Sequence, residues 1–130
     1  NDAFCELLVT LRRHFDGDLD RMLVLAIVAS RHLARGRLDD ISYHQIISEE
    51  KPEKGPAPIN VQSIADYAGI PRETVRRKVR DLEQSGWVKR NDKGLLTVDA
   101  RAAQELAPAT EATLHYLATI VAVCNEAASQ

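Results

Sequence analysis

The sequence predicts a mostly α-helical protein with one small β-hairpin, and three of its features lead to that prediction. Apolar residues recur every three or four positions near both ends of the chain, which is the spacing of amphipathic helices. Aromatic residues make up only 5% of the 130 residues, so the core must consist mainly of Leu, Ile, Val and Ala, which suits packed helices better than a sheet sandwich. Two short runs of β-forming residues on either side of a polar turn supply the hairpin.

The composition places the chain among ordinary globular proteins. Apolar residues make up 45% of the chain and charged residues 28%, and 130 residues are enough for one domain with its own core. Cys5 and Cys124 lie in apolar helical patterns, where isolated cysteines are usually small core residues. No signal peptide is visible, and the densest apolar run, residues 22–29, is too short to span a membrane. We therefore expect a cytoplasmic protein without a membrane partner.

We divide this single domain into four consecutive segments. They are N-terminal helices (1–35), an irregular loop in which Ser42 and Gln45 form the capping pattern of a short helix (36–58), a central module (59–98) and C-terminal helices (99–130). The charged, proline-rich end of the loop, residues 49–58, is expected to be mobile.

The N-terminal segment contains two predicted helices. The first has an apolar stripe from Phe4 to Phe15, and Gly17 is expected to end it in the left-handed conformation. Asp18 is the predicted N-cap of the second helix, which runs to about Arg35. The centre of this helix, MLVLAIVA, is apolar on every face, so we expect a partner chain to help bury it.

The C-terminal segment also contains two predicted helices. Asp99 is expected to cap a helix over residues 100–106, which Pro108 breaks or kinks. Thr110 is the predicted cap of a final helix that runs to about Ala128. An apolar stripe on this helix predicts the seam of a homodimer. The stripe consists of Leu114, Leu117, Val121 and Cys124, with Ile120 beside it.

The central module begins with two helices joined by a tight turn. Asn60 caps a helix over residues 61–68, and Gly69 stands where the chain must turn with a positive φ. Ile70 is expected to fill the corner between the helices. Pro71 opens the second helix, which covers residues 71–85. Its inward stripe, at positions i, i+4 and i+7, consists of Val75, Val79 and Leu82.

A hairpin follows the second helix. Gly86 ends the helix, and the runs 87–90 and 95–98 form two strands joined by the polar tip Asn91–Gly94. This order of helix, tight turn, arginine-rich helix and hairpin is the outline of a winged helix-turn-helix, flanked here by N- and C-terminal helices. The outline makes double-stranded DNA the first partner to consider.

The charge of the chain is unevenly distributed, as DNA binding requires. Residues 59–98 contain eight Lys or Arg and five Asp or Glu, which gives a net charge of +3, whereas the rest of the chain contains nine and fourteen, which gives −5. Four of the five residues 76–80 are Arg or Lys. A basic module on an acidic body suits a localised contact with phosphates.

One short run carries a resemblance to a known family. The run Arg72–Arg77 reads Arg-Glu-Thr-Val-Arg-Arg, and with the later Leu82-Glu83 it resembles the recognition helix of the cyclic-AMP receptor protein family. The resemblance implies that Arg72, Glu73 and Arg77 read base edges in the major groove. Lys78 departs from the family pattern, which has an apolar residue there. The two helices before the module and the long helix after it make the layout closer to small dimeric repressors of the multiple-antibiotic-resistance type.

The chemistry of these side chains supports a division into base readers and phosphate anchors. Arg donates two hydrogen bonds to guanine, and Glu accepts from cytosine N4. Cations and polar groups on the wing and at helix termini contact phosphates, which adds affinity without sequence preference. The predicted phosphate and wing contacts are Asn60, Gln62, Thr74, Arg76, Arg80, Lys89, Arg90 and Lys93.

Other functions are less well supported by the sequence. The alternative is a winged-helix module that binds another protein without specific DNA binding, and the nearly neutral net charge of −2 is the main argument for it. Asp16, Asp18 and Asp20 imitate the start of a calcium loop, but the glycine and glutamate that such a loop needs are missing. We expect no catalytic residues, no metal and no cofactor, and the sequence points to no small-molecule effector. The expected protein is a cytoplasmic, nucleoid-associated homodimer that regulates transcription in bacteria.

Overall fold

The computed structural model describes residues 1–30 and 58–129. Within these ranges, the chain forms six helices and one antiparallel hairpin, so the predicted mostly α fold with a small wing is confirmed. The helices are α1 (Asp2–His14), α2 (Leu19–Ala29), α3 (Val61–Ala68), α4 (Arg72–Ser85), α5 (Ala100–Glu105) and α6 (Ala107–Ala128), and the strands are β1 (Val88–Arg90) and β2 (Leu96–Val98). The predicted capping box at Ser42 and Gln45 and nearly all of the predicted loop over residues 49–58 lie outside the described residues.

The corner between α1 and α2 forms as predicted. Asp16 and Gly17 both have left-handed backbones, with φ of +53° and +82°, which reverses the chain after α1. Asp18 caps α2, because its Oδ1 accepts a hydrogen bond of 2.9 Å from the backbone N–H of Arg21. The described part of α2 ends at Ala29, and the predicted extension to Arg35 lies outside the described residues.

The core is a cluster of aliphatic side chains between α2, α3, α4 and the hairpin. The helix α2 packs against both α3 and α4 and against β2. Its contribution to the core is Val24, Leu25, Ile27 and Val28. The remaining apolar residues of α2 include Leu19 and Leu23, which are exposed in the single chain. Within the described part of the chain, one side of the apolar centre of α2 is buried and the other is exposed.

The two helices of the central module have the predicted turn. Asn60 caps α3 by accepting a hydrogen bond of 2.8 Å from the Ser63 N–H, and Gly69 has a φ of +70°. Gly69 is followed by Ile70, which packs against the core. The second helix, α4, begins at Arg72, one residue later than predicted. Pro71 is its N-cap, with an extended ψ of 138°. The predicted inward stripe is confirmed, because Val75, Val79 and Leu82 are all completely buried.

The hairpin pairs in the register Val88 with Val98 and Arg90 with Leu96. A third segment pairs with this sheet, and the sequence did not predict it. Ile59, directly before the module, exchanges both backbone hydrogen bonds with Leu96, at 3.2 and 2.8 Å. A single paired residue leaves no alternating pattern to detect, but it ties the start of α3 to the wing.

One prediction about the ends of the C-terminal helices is wrong. Thr110 does not cap the final helix: α6 begins at Ala107, and the Thr110 hydroxyl donates to the Leu106 carbonyl from within the first turns. The predicted break at Pro108 is confirmed: α5 ends at Glu105, and Pro108 lies in the first turn of α6, where a missing N–H costs no helical hydrogen bond. The predicted cap Asp99 is confirmed, with its carboxylate accepting from the Arg101 N–H at 2.9 Å.

The cysteines were also predicted wrongly. Cys5 and Cys124 are exposed in the single chain and are not core residues. They lie on α1 and α6, two helices that pack against each other but bury little: within the described part of the chain, Ala109 is the only buried residue on either of them.

We predict that Leu82→Ala lowers the free energy of unfolding by about 2–5 kcal/mol, because it leaves a cavity where a completely buried side chain of the α4 stripe had been. Urea denaturation of the variant measures this loss. Gln84→Ala, at an exposed position of the same helix, is the control and is expected to change stability by less than about 0.5 kcal/mol. An equal effect of the two substitutions would contradict the assigned faces of α4.

Candidate nucleic-acid interface

The predicted base readers lie together on the exposed side of α4. Arg72, Glu73 and Arg77 are all exposed and occupy the first two turns of the helix, away from the buried Val75 and Val79. Residues at the start of a helix are the ones that reach base edges when the helix enters the major groove. The backbone therefore brings the three residues to one accessible surface.

The carboxylate of Glu73 is held by a neighbouring cation. Arg76 Nη2 donates a hydrogen bond of 2.8 Å to Glu73 Oε1 one turn along the helix. That hydrogen bond, with the positive charges of Arg76, Arg77 and Arg80, lowers the pKa of Glu73. Both side chains are more than half exposed, so water competes with this ion pair and the pair opens readily. Glu73 is consequently a charged acceptor at neutral pH, available to a donor such as cytosine N4.

Three arginines on the same face form no salt bridge within the described part of the chain. They are Arg72, Arg77 and Arg80. The nearest polar partner of Arg77 is the hydroxyl of Thr74, at 3.5 Å, which is at the outer limit of a hydrogen bond. Their guanidinium groups can therefore donate to bases or phosphates without breaking an ion pair.

Lys78 does not belong to this exposed face. Its Nζ donates to Asp18 Oδ2 at 2.8 Å, and the two side chains are only 23% and 25% exposed. The basic run 76–80 is thus divided, because Lys78 turns toward α2 while Arg76, Arg77 and Arg80 are exposed. Its spacing already contained this information: Lys78 follows Val75 by three residues and precedes Leu82 by four, so it lies along the edge of the buried stripe.

The wing is fixed to α4 and carries its own cations. Arg90 Nε on β1 donates to Glu83 Oε1 on α4 at 2.9 Å. The tip of the hairpin is ordered by Asn91, whose Oδ1 accepts from the backbone N–H groups of Lys93 and Leu95 at 2.9 and 3.0 Å. Lys93 at the tip and Lys89 on β1 are exposed. The wing therefore presents its positive charge at a fixed position beside α4.

The two polar residues predicted near the start of α3 are partly engaged within the helix. The side-chain Oδ1 of Asn60 serves as the N-cap acceptor, and Gln62 Nε2 donates to Asp66 at 2.8 Å. Gln62 and Asn60 are nevertheless both exposed. A phosphate at this helix terminus would meet the side-chain amide donor of Asn60.

Trp87 joins the wing to the rest of the protein, a contact that sequence analysis did not find. Its ring lies edge-on to Phe15 with a centroid separation of 5.7 Å, and its Nε1 donates to Glu105. Glu105 also accepts from Arg101 at 2.9 Å, and the hydrogen bonds from Trp87 and Arg101 lower the pKa of Glu105. Trp87 is the only tryptophan of the chain, so its fluorescence reports on the base of the wing.

Other kinds of site find no support in the described residues. Among residues 1–30 and 58–129, no three His, Cys, Asp or Glu side chains come together as a group that could hold a metal ion. No helix in the same ranges is long and apolar enough to cross a membrane. A groove between α1 and α6 has a volume of about 310 Å³, but it is open to solvent.

A comparison with known protein families gives one match. Residues 37–105 match the Crp-like helix-turn-helix domain, and these 69 residues are just over half of the chain. The match includes α3, α4, the hairpin and α5, and it begins upstream of the described part of the module. No curated protein and no solved structure matches the chain.

The Asp18–Lys78 pair predicts a dependence of stability on pH. Partial burial acts to raise the pKa of Asp18, but the hydrogen bonds from Lys78 and the Arg21 N–H, with the positive charges of both residues, outweigh it and bring the pKa below its ordinary value. A carboxyl whose pKa is lower in the folded state stabilises the fold above its unfolded pKa of about 3.9 and loses that effect as the pH falls through the folded value.

We therefore expect wild type to be more stable than Asp18→Asn from pH 5 to pH 7, and the difference to shrink below about pH 4. Urea denaturation at a series of pH values measures it. Asn keeps an acceptor for the helix cap, so the comparison isolates the charge. Asp20→Asn, in the first turn of the same helix and without a salt bridge to any described residue, is the control. A difference that persists unchanged at acid pH would show that the charge of Asp18 does not stabilise the fold.

Proposed function

Because the chain belongs to the family of Crp-like helix-turn-helix domains, we propose that it regulates transcription by binding specific sites in double-stranded DNA. The family match confirms the resemblance that the Arg72–Arg77 run indicated, and it points to a DNA-binding regulator instead of an enzyme. The observation that carries the proposal is the two-sided α4, which is completely buried along one stripe and densely basic on its exposed face.

The recognition helix α4 enters the major groove in this proposal. Its 14 residues form a rod about 21 Å long, and a major groove about 12 Å wide accepts one helix. Arg72 and Arg77 donate to guanine O6 and N7, and Glu73 accepts from cytosine N4. The ion pair between Glu73 and Arg76 then has to exchange, so that Arg76 turns from the carboxylate to a phosphate.

The wing and the remaining cations bind the DNA phosphate backbone on both sides of the major groove. The wing lies on the backbone or in the minor groove, where its cations neutralise phosphates irrespective of sequence. Residues that we assign to phosphate or wing contacts are Asn60, Gln62, Thr74, Arg76, Arg80, Lys89, Arg90 and Lys93. Arg90 contributes less than the others, because Glu83 already neutralises it.

A second copy of this chain covers the exposed apolar face of α6 in our proposal. The helix has 22 residues and is about 33 Å long. It contains two acids, Glu111 and Glu126, and neither Lys nor Arg, so little charge opposes the association of two identical faces. The exposed apolar side chains of this face are Leu114, Leu117 and Val121, with Ile120 beside them, and Phe4 and Leu8 of the neighbouring α1 are exposed as well.

Such a surface is unusual for a helix that faces water, since soluble monomers seldom expose contiguous apolar patches of this extent. A two-fold dimer would present two copies of α4 to successive major grooves. It would read half-sites about one helical turn apart. Bacterial promoter DNA is the target that this arrangement fits.

Selection of preferred duplexes from a random library, followed by measurement of affinity at several salt concentrations, tests the proposal. We expect an enriched sequence with two related halves and an affinity that falls steeply as salt rises. Absence of binding to any duplex at low salt would refute DNA recognition and favour a winged-helix module for protein partners.

We predict that Arg72→Ala and Arg77→Ala each weaken binding to the selected site by about 1–3 kcal/mol, because each removes a bidentate contact with a base. Competition binding against single-base variants of the site measures the accompanying loss of preference at one position. Lys93→Ala removes only a phosphate contact and is the comparison: it should weaken all duplexes alike and reduce the salt slope by about 1. Equal losses on selected and random DNA for the two arginine variants would contradict their reading role.

We predict that the protein is a dimer in solution and that Leu117→Glu converts it to a monomer, because the substitution places a charge in the middle of the α6 face, where Leu117 is 51% exposed in the single chain. Sedimentation or light scattering at micromolar protein gives the mass. Gln104→Glu adds the same charge at an exposed position of α5 and should leave the mass unchanged. A wild-type monomer at that concentration would rule out this dimer.

A further inference from the structure

We infer that Asp18 and Lys78 form a positioning pair that fixes the orientation of α4 on α2 and thereby sharpens its discrimination between DNA sequences. The inference rests on the proposed function. It concerns two residues that contact no base and that neither the family match nor the DNA-facing surface assigns to recognition.

The contact between α2 and α4 is otherwise made by aliphatic side chains. α2 contributes Val24, Leu25 and Val28 to the same buried cluster as Val75 and Val79 of α4. Apolar packing excludes water but is not directional, and volume-conserving rearrangements of aliphatic cores cost little. A core of this kind leaves small rotations and translations of α4 along α2 weakly opposed.

The Asp18–Lys78 ion pair is directional, unlike the apolar packing, and therefore opposes small movements of α4 along α2. Lys78 Nζ lies 2.8 Å from Asp18 Oδ2, and the pair joins residues 60 positions apart in the chain. The other carboxylate oxygen of Asp18 is held by the Arg21 N–H at the start of α2. Both carboxylate oxygens are therefore fixed, one to each helix. We call this link between α2 and α4, formed by Asp18 and Lys78, the bracket. With both side chains about three-quarters buried, the pair is far less exposed to solvent and salt than Glu73–Arg76.

The position of Lys78 makes this bracket relevant to DNA reading. Lys78 follows the proposed reader Arg77 directly, so a shift of Lys78 relative to α2 displaces the neighbouring guanidinium group as well. Bidentate hydrogen bonds to guanine tolerate little displacement. Phosphate contacts by long, flexible side chains tolerate more. Loosening the bracket should consequently reduce discrimination between sequences more than it reduces general affinity.

The α1–α2 corner makes a second contact with the DNA-binding elements. Phe15, three residues before Asp18, is buried and meets Trp87 at the base of the wing. Arg21 lies over the same Phe15 ring, 5.7 Å from its centroid, and within 3.6 Å of Asp16. The corner thus contacts both α4 and the wing, which gives α4 a rigid support on which the bracket can act.

The experiment compares Asp18→Asn, Lys78→Met and the double variant. Asn preserves the cap acceptor and removes the charge; Met preserves the aliphatic stem of Lys78 and removes the ammonium group. For each protein, affinity is measured for a duplex carrying the selected site and for a shuffled duplex of the same composition, at a temperature where denaturation shows the protein to be folded. The ratio of the two affinities is the readout, because loss of stability or a change of net charge alone affects both duplexes alike.

We expect each single variant to reduce this ratio by between about threefold and thirtyfold, and the double variant to lose no more than the worse single variant, as coupled residues do. Lys78→Arg, which keeps a cation within reach of Asp18, should stay close to wild type. Asp20→Asn removes a carboxylate from the same helical turn and should leave the ratio unchanged.

Two negative results are distinguishable. If wild type selects a site and the Asp18, Lys78 and Asp20 variants all discriminate as wild type does, the positioning role is refuted and the proposed function stands. If wild type binds no duplex at low salt, the proposed function fails, and the inference that rests on it fails too.

Discussion

The burial of one stripe of α4 is the constraint on which the rest of the structure depends. Val75, Val79 and Leu82 have no exposed surface, so any large rotation of the helix about its axis would bring apolar side chains into water. The side chains on the opposite face must then point outward, and they are mostly arginines. The left-handed glycines at both ends, Gly69 and Gly86, determine where this helix begins after α3 and where the wing departs.

Polar contacts around α4 refine the placement that apolar burial imposes. Asp18 holds Lys78 from the α2 side, and Glu83 holds Arg90 on the wing. Each ion pair neutralises one of the eight positive charges of residues 59–98. The surface available to DNA is therefore smaller than the total of basic residues suggests, and it centres on Arg72, Arg77 and Arg80.

Most of the central module was predictable because its signals are local. Caps at Asn60 and Asp99, turn glycines and the apolar spacing on α4 depend on interactions within a few residues, which a single sequence displays. The failures have long-range or contextual causes. Neither the Asp18–Lys78 bridge nor the Ile59–Leu96 pairing leaves a local pattern, and Trp87 meets Phe15 only after the chain has folded.

The C-terminal errors have a different origin. A threonine followed by an apolar periodicity is a valid cap signal, and it led to Thr110, whereas Pro108 two residues earlier was already suited to the first turn of α6. Apolar spacing also predicts which face of a helix is buried without saying by what. Cys124 and its neighbours share such a face on α6, but the single chain does not cover it. The roles of the candidate site residues remain predictions, since exposure and charge permit DNA contact without identifying the base that each residue meets.

Methylation interference on the selected duplex is the most direct test of the central claim that the exposed face of α4 reads bases in the major groove. Methylation of guanine N7 blocks the acceptor that Arg72 and Arg77 would use and leaves the phosphates unchanged. We expect interference at guanines in two clusters about one helical turn apart. Binding that is insensitive to N7 methylation throughout the duplex, while phosphate modification still abolishes it, would contradict the account.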